Sequence, residues 1–227
     1  MNDGDDSQQP QPFVVRDCAL VVLAAGISAQ NLRELRDGLR RADPDSIYHH
    51  FWGRLLQPLF DEPEYNNDFA SWAYRALNDK AVAERLSVID PTDYEDIEAL
   101  RDELVEIVEM RLDESEFPSW AQADQQFHFL RSQIVVFDTG VRVDEPHQLA
   151  TVVPAIGEGS VFYHFIDARR RTEDRTDDLC GWLAGYGKEY DPLIEQLSEI
   201  DPYFSSLHYI RKMLTRVLES YFPEVAA

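Results

Sequence analysis

Two histidines and two aspartates are the side chains of this sequence best suited to metal chemistry. His50 lies in the run S-I-Y-H-H-F and His164 in the run S-V-F-Y-H-F, so both are flanked by aromatic residues. Imidazole together with carboxylate, which Asp68 and Asp178 could supply, suits zinc, iron or manganese. If the two histidines face each other between two halves of the chain, we expect a divalent metal or a polarised small ligand there.

A structural role for these histidines is the interpretation that we favour. Metal-binding helices usually place their ligands three or four residues apart, whereas His49 and His50 are adjacent and point ~100° apart on a helix. A half-buried histidine whose ring nitrogens meet backbone or carboxylate partners explains the same pattern. We therefore expect no cofactor, with a divalent metal as the alternative.

A dense basic group is the next candidate for recognition. Arg169, Arg170 and Arg171, together with Arg175, could bind phosphate or the carboxylates of a partner, because arginine forms bidentate pairs. They could equally neutralise the acidic residues nearby, which are Glu173, Asp174, Asp177 and Asp178. Both interpretations stay open.

Two tryptophans occupy comparable positions, each four residues after an aspartate. Trp72 and Trp182 could form an aromatic platform for a ligand or partner. Large aromatic residues on an amphipathic helix more often fill the core, with the indole N–H finding an acceptor, and we favour core packing.

The sequence predicts no catalytic residue. Cys18 lacks a nearby base, and its apolar surroundings should raise its pKa. A Ser-His-Asp order, a nucleophile elbow and an H-E-x-x-H motif are all missing. The run Gly157-Glu158-Gly159-Ser160 precedes a helix and could bind an anion, but we expect a turn with a capping residue.

The charge balance excludes several classes of partner. Lys+Arg is 21 against Asp+Glu 43, giving a net charge of -22, so nucleic acid and anionic membranes are disfavoured. The acidity fits adaptation to a salty cytoplasm, which we favour, or a docking surface for a basic partner. Two cysteines are too few for a disulfide framework, and no signal peptide or membrane-length apolar run is present. We expect a cytoplasmic protein.

A repeat links the two halves of the chain. At a spacing of 114 residues, Ser46–Phe51 matches Ser160–Phe165, and at a spacing of 110, Asn67–Trp72 matches Asp177–Trp182. We therefore predict a tandem duplication. Residues 1–12 would form a disordered acidic tail, 13–112 the first repeat, 113–126 a linker and 127–227 the second repeat.

Shared features of the two halves predict the elements. The apolar runs Phe13–Leu23 and Phe127–Phe137 favour strands. We predict a helix near Leu32–Arg41 that opens with a capping box, its counterpart beginning at Asp144, and a final apolar-striped helix in each half. Expected N-caps are Ser46, Ser160, Asp68, Asp178, Asp90 and Asp201. The fold is mainly α with minor β, a duplicated helical unit in a pseudo-twofold arrangement.

The order of these motifs resembles a known family. N-L-R-E-L, S-I-Y-H-H-F-W, N-D-F-A-S-W and A-E-R-L-S-V-I-D-P occur in the order found in the bacterial and archaeal domain-of-unknown-function family numbered fifty-seven fifty-two. The resemblance covers nearly all of the chain after Pro12. It implies a shared cytosolic fold, but no activity, substrate or catalytic residue. Tyr163 stands where the first half has His49, which argues against a double histidine in both halves.

We therefore expect a non-enzymatic binding or assembly protein that recognises a protein partner on a duplicated α-rich scaffold. Homo-oligomers are compatible with the sequence. The alternative is a metal-dependent enzyme or small-ligand sensor, with its site between the repeats around His50 and His164.

Overall fold

The computed structural model describes residues 11–57, 64–114 and 121–224. Two long strands, β1 (Phe13–Ala29) and β2 (Phe127–Val143), pair as a two-stranded sheet. The helices are α1 (Leu32–Arg41), α2 (Pro44–Trp52), α3 (Asp68–Arg75), α4 (Lys80–Ser87), α5 (Ile97–Asp113), α6 (Leu149–Val152), α7 (Glu158–Val161), α8 (Ala168–Arg171), α9 (Asp178–Ala184), α10 (Asp191–Ser198) and α11 (Leu207–Tyr221). A π-helical turn, Phe162–Asp167, joins α7 to α8. The prediction of a mainly helical chain with minor β structure is confirmed.

Both strands are longer than predicted. They continue past Leu23 and Phe137 and include Gly26 and Gly140, whose φ angles are positive at 73° and 79°. Glycine has no Cβ to oppose this conformation, so each strand can pass through it.

Contacts within the chain form two compact units, which we call the N-terminal unit and the C-terminal unit. The N-terminal unit comprises Leu20–Ile134, and the C-terminal unit comprises the described residues up to Ala19 and from Val135 onward. The start of β1 therefore packs with helices of the second half of the sequence, and the start of β2 with helices of the first. The predicted repeat boundaries stay a prediction.

Each unit has its own helical core. In the N-terminal unit, α1 packs on α5 and α3 on α4, burying Leu35, Leu104 and Phe69 completely. In the C-terminal unit, α10 packs on α9 and α11, burying Leu183 and Leu197. The apolar positions recur at three- and four-residue steps, as expected for helices with one buried face.

Several predicted N-caps are wrong by a few residues. Asn31 caps α1 as expected, but the Glu34 carboxylate accepts from the backbone N–H of Gln30 and not from that of Asn31, so the reciprocal half of the capping box is displaced by one residue. Ser46 and Ser160, however, lie inside their helices, which begin after Asp43 and Gly157. The first of these helices starts earlier because Asp43 is followed by Pro44, and proline fits the first helical position at no hydrogen-bonding cost.

The caps of α3 and α9 are also displaced, by one residue. Asn67 and Asp177 accept the first backbone N–H groups, and not Asp68 and Asp178 as predicted. Asp68 and Asp178 therefore stand in the first turn with their carboxylates available for other partners.

The last helices also begin later than predicted. Asp90 and Asp201 accept backbone N–H groups of short turns, whereas α5 and α11 begin after Asp96 and Ser206. In the counterpart of α1, the helical turn starts at Pro146 with Glu145 as N-cap, one residue after the predicted Asp144.

Parts of the predicted tail and linker, residues 1–10 and 115–120, lie outside the described residues. The end of the linker is attached to the N-terminal unit, since the N–H groups of Ala123 and Asp124 donate to the carbonyls of Gln30 and Ala76. Among the described residues, no helix combines the length and apolar character needed to cross a membrane.

Candidate functional site

His50 links a strand to a helix within the N-terminal unit. Its Nδ1–H donates to Asp68 Oδ2 at 2.9 Å, and its Nε2 accepts the backbone N–H of Leu130 at 3.0 Å. The side chain is 1% exposed and its ring contacts Phe127, with centroids 4.7 Å apart. Because Nε2 is an acceptor, the proton of the neutral ring must lie on Nδ1.

His164 makes the same three contacts within the C-terminal unit. Its Nδ1–H donates to Asp178 Oδ2 at 2.8 Å, and its Nε2 accepts the backbone N–H of Arg16 at 2.8 Å. The ring of Phe13 lies 4.8 Å from the imidazole. His50 and His164 are 114 residues apart, and so are Arg16 and Leu130.

Both ring nitrogens of each histidine are therefore engaged within its own unit. The structure brings His50 to Asp68 and His164 to Asp178, which are the pairs that the sequence placed among the candidate ligands. A metal on either ring would have to displace a carboxylate or a strand N–H. The arrangement is that of a structural cross-link, as in the interpretation that we favoured from the sequence. A site shared by His50 and His164 stays a prediction.

One cluster in the N-terminal unit does have the composition of a metal site. His49, His50 and Asp68 each offer a ligand atom, and these atoms lie within 4.8 Å of one another. Burial and the neighbouring His50 lower the pKa of His49 to about 4, although the charge of Asp68 opposes this. His49 is consequently neutral at pH 7, and its Nδ1 contacts Ser132 Oγ.

The three consecutive arginines contact carboxylates of their own unit. Arg171 donates to Asp178 Oδ2 at 3.0 Å and to Asp167 Oδ2 at 3.0 Å. Its guanidinium also lies 4.1 Å from the ring centroid of Tyr163. Arg170 approaches Asp167 at 3.3 Å and Arg169 approaches Asp177 at 3.6 Å.

These contacts correspond to internal neutralisation, the second interpretation considered for the basic group. Burial opposes ionisation of Asp178, but hydrogen bonds from His164 and Arg171 lower its pKa. A role of the arginines in binding a partner stays a prediction.

The tryptophans attach the segments that precede the strands. Trp72 Nε1–H donates to the carbonyl of Gln125 at 2.7 Å, and Trp182 Nε1–H donates to the carbonyl of Gln11 at 2.8 Å. Trp72 is 8% exposed and packs in the core, as favoured from the sequence. Trp182 is half-buried and leaves part of its ring accessible.

The helix start at Gly157–Gly159 is occupied by a carboxylate of the chain itself. A Cβ on Gly157 would lie 2.9 Å from Asp17 Oδ2, and a Cβ on Gly159 would lie closer still to Asp17 Oδ1. Next to it, the Cys18 thiol donates to the Gly159 carbonyl at 3.3 Å. Burial and the charge of Asp17 raise the pKa of Cys18 to about 12, in the direction expected from the sequence.

A surface that the sequence reasoning missed lies on the strands. In the N-terminal unit, Val21, Val22 and Leu23 of β1 are 38–45% exposed. In the C-terminal unit, β2 exposes large apolar side chains to 40–49%, namely Val135, Val136, Phe137 and Val141. The available signal was the absence of alternation, because a strand buried on one face alternates apolar and polar residues.

A cavity in the C-terminal unit is apolar and small. Phe13, Val153, His164 and Leu214 are among its lining residues, and it has no room for anything larger than a water molecule. Cavities of this kind stay dry, so it offers no ligand site.

Comparisons with known proteins identify relatives without a stated activity. The model of a family of unknown function, DUF5752, matches residues 10–219. The solved structure of OrfY from Thermoproteus tenax is similar, with 30% sequence identity and a TM-score of 0.79. That alignment covers 93% of this chain and 96% of OrfY. No curated protein matches the chain.

Proposed function

This chain belongs to the DUF5752 family, and we propose that it is a non-enzymatic assembly protein whose copies associate through the exposed apolar sections of β1 and β2. The observation that carries the proposal is the exposure of seven large apolar side chains on the two strands. Large apolar side chains exposed together along a strand are typical of protein interfaces. Among the described residues each strand pairs only with the other, so its outer edge, beyond the N–H groups held by His50 and His164, could accept a further strand.

The distribution of charge favours a second copy as the occupant. The stretches 19–25 and 134–137 contain no charged residue, whereas the whole chain has 43 acidic against 21 basic side chains. Two copies would repel each other over most of their surfaces, but not where these strands meet. Salt screens the remaining repulsion, so association should strengthen as ionic strength rises.

The proposal includes the tandem duplication. It is supported by the equivalent contacts of His50 and His164 and by the exposed residues, since Val21, Val22 and Leu23 lie 114 residues before Val135, Val136 and Phe137. A duplicated chain presents the same docking surface twice. The predicted pseudo-twofold arrangement of the repeats is part of this proposal.

Charge placed on the strands tests the assembly. Val22→Lys and Val136→Lys should raise the dissociation constant of the complex about tenfold or more, since burying an unpaired ammonium is costly. Val88→Lys is the matched control, because Val88 is 76% exposed and lies outside the strands. The measurement is sedimentation equilibrium at low and high salt, with the melting temperature of each variant as a check on folding.

A mass of 26.2 kDa for the wild type at every concentration and salt level would refute self-association. Equal effects of the strand and control variants would also refute it. If the chain forms a complex only with a different, basic protein, and that complex weakens as salt is added, the strand surface binds that protein and not a second copy of this chain.

A metal-dependent sensor or enzyme is the second candidate, and the cluster of His49, His50 and Asp68 favours it. Imidazole and carboxylate could hold zinc there if His50 gave up the N–H of Leu130. Titration of purified protein with Zn²⁺, followed by calorimetry, tests this candidate. Stoichiometric binding that is lost in His49→Ala but kept in His128→Ala would support it, whereas the absence of binding would remove it.

A further inference from the structure

A row of aromatic side chains crosses the surface of the C-terminal unit. We define the aromatic row as Trp182, Tyr186, Tyr190, Tyr221 and Phe222, all half-buried. Successive ring centroids lie 5.0 Å apart for Trp182 and Tyr186, 6.0 Å for Tyr186 and Tyr190, and 6.3 Å for Tyr190 and Tyr221. Partly exposed rings at these spacings form a continuous amphipathic surface.

Hydrogen bonds fix two of these rings in place. The Tyr186 hydroxyl donates to the Asp144 carbonyl at 2.7 Å, and the Tyr221 hydroxyl donates to the Glu189 carbonyl at 2.8 Å. A ligand that packs on the row therefore has little side-chain entropy to remove, which increases affinity.

Most of the row has no aromatic equivalent in the N-terminal unit. Trp182 has an aromatic equivalent 110 residues earlier, Trp72, which is buried. The other four members have none at that spacing, where the chain has Ala76, Lys80, Arg111 and Leu112. The N-terminal unit has no aromatic residue at these four positions, so the rings are not needed for what the two units share. We therefore look for a role of the four rings in binding.

The chain itself places a proline-containing segment at one end of the row. Trp182 Nε1–H donates to the carbonyl of Gln11, and Pro12 follows directly before β1. Aromatic grooves bind extended proline-rich segments because proline is already constrained to the extended conformation and leaves its carbonyls free to accept. Trp72 makes the equivalent bond to the carbonyl of Gln125, which no proline follows, so the bond anchors the segment before each strand and only the adjacent proline is particular to Trp182.

Carboxylates border the row. The charges of Asp144 and Glu145 act on the Tyr186 hydroxyl, and those of Glu189 and Glu145 act on the Tyr190 hydroxyl. Burial and then these negative charges raise the pKa of both tyrosines. Arginine or lysine beside a proline-rich segment would be attracted to these carboxylates.

We propose that the aromatic row binds an extended, proline-rich segment of a partner protein that carries flanking basic residues. Tyr186, Tyr190, Tyr221 and Phe222 would contact its prolines, and Asp144, Glu145 and Glu189 would attract its cationic side chains. None of these residues belongs to the exposed strand sections, so the row would give the assembly a means to recruit a different protein.

Fluorescence anisotropy with the full chain tests the proposal. The probe is a short labelled peptide with prolines at alternate positions and arginines at both ends. Tyr190→Ala should weaken its binding about five- to tenfold, because one ring contact is lost. Tyr209→Ala is the control, since Tyr209 is 49% exposed in the same unit and lies outside the row. Glu189→Lys should weaken binding more than Glu195→Lys, a charge reversal at another exposed position of this unit.

The peptide in which alanines replace the prolines should bind at least about fivefold more weakly. Equal binding of the two peptides, or equal losses in Tyr190→Ala and Tyr209→Ala, would overturn the proposal. So would binding of tetramethylammonium or an oligosaccharide without binding of the peptide. None of these outcomes depends on self-association, which the strand variants measure separately.

Discussion

Nε2 of His164 accepts a hydrogen bond from the backbone N–H of Arg16, which lies 148 residues earlier in the chain. His50 accepts in the same way from Leu130, 80 residues later. In each unit a histidine on a helix thus joins the start of a strand to an aspartate on a second helix. The contact explains why histidine is present at both positions without assigning it any catalytic role.

Removing either histidine should destabilise the fold. His164→Ala leaves the Arg16 N–H and the Asp178 carboxylate without this partner, and His50→Ala does the same to Leu130 and Asp68. Each should lower the free energy of unfolding by about 2–4 kcal/mol. Urea denaturation measures the effect, and His208→Ala, at an exposed histidine, is the control. A loss no larger than that of the control would contradict the structural role.

Acid should weaken the fold through His49. Its pKa falls from 6.5 to about 4 on folding, so the unfolded chain binds a proton that the folded chain does not. The contribution of neutral His49 to the free energy of unfolding is complete above about pH 6.5. It is lost as the pH falls towards 4, which lowers the free energy of unfolding by on the order of 3 kcal/mol. In His49→Gln the free energy of unfolding should change less between pH 7 and pH 5 than in the wild type. His128→Gln should keep the wild-type slope, and an unchanged slope in both variants would be the contrary result.

Both cysteines should react slowly while the chain is folded. The pKa of Cys18 is raised to about 12, and burial together with Asp177 raises that of Cys180. At pH 8 a thiol with a pKa of about 12 has roughly one thiolate in ten thousand molecules. A chromogenic disulfide reagent should therefore label the protein rapidly only in concentrated guanidinium chloride. Rapid labelling of the native protein would show that these thiols are accessible and ionised.

Two helical glycines should respond in opposite directions to alanine. A Cβ on Gly181 in α9 meets no heavy atom within 4 Å, so Gly181→Ala should stabilise the fold by about 0.5–1 kcal/mol. A Cβ on Gly38 in α1 would lie 2.7 Å from Phe129 Cζ, so Gly38→Ala should destabilise it by about 1–3 kcal/mol. Urea midpoints measure both. Stabilisation by Gly38→Ala would mean that the start of β2 does not pack against α1.

Sequence patterns predicted those structural features that depend on residues close together in the chain. The apolar steps of α5 and α11, the N-cap of Asn31 and the β character of the runs after Phe13 and Phe127 follow from neighbouring residues. Helix starts were less certain, because adjacent Asn67 and Asp68 are both good caps. Which one caps α3 depends on the distant partner of the other, since the Asp68 carboxylate is held by His50.

The sequence by itself determined the helical character, the repeated spacing of 114 residues and the acidity of the chain. Only the tertiary structure decided that each strand starts against helices of the other half, that each histidine meets an aspartate and a strand N–H, and that the middles of the strands are exposed. Helix periodicity and capping depend on residues a few positions apart, so they can be predicted from the sequence. The hydrogen bonds of His50 and His164 join residues 80 and 148 positions apart. They depend on how the whole chain packs, so neighbouring residues do not predict them.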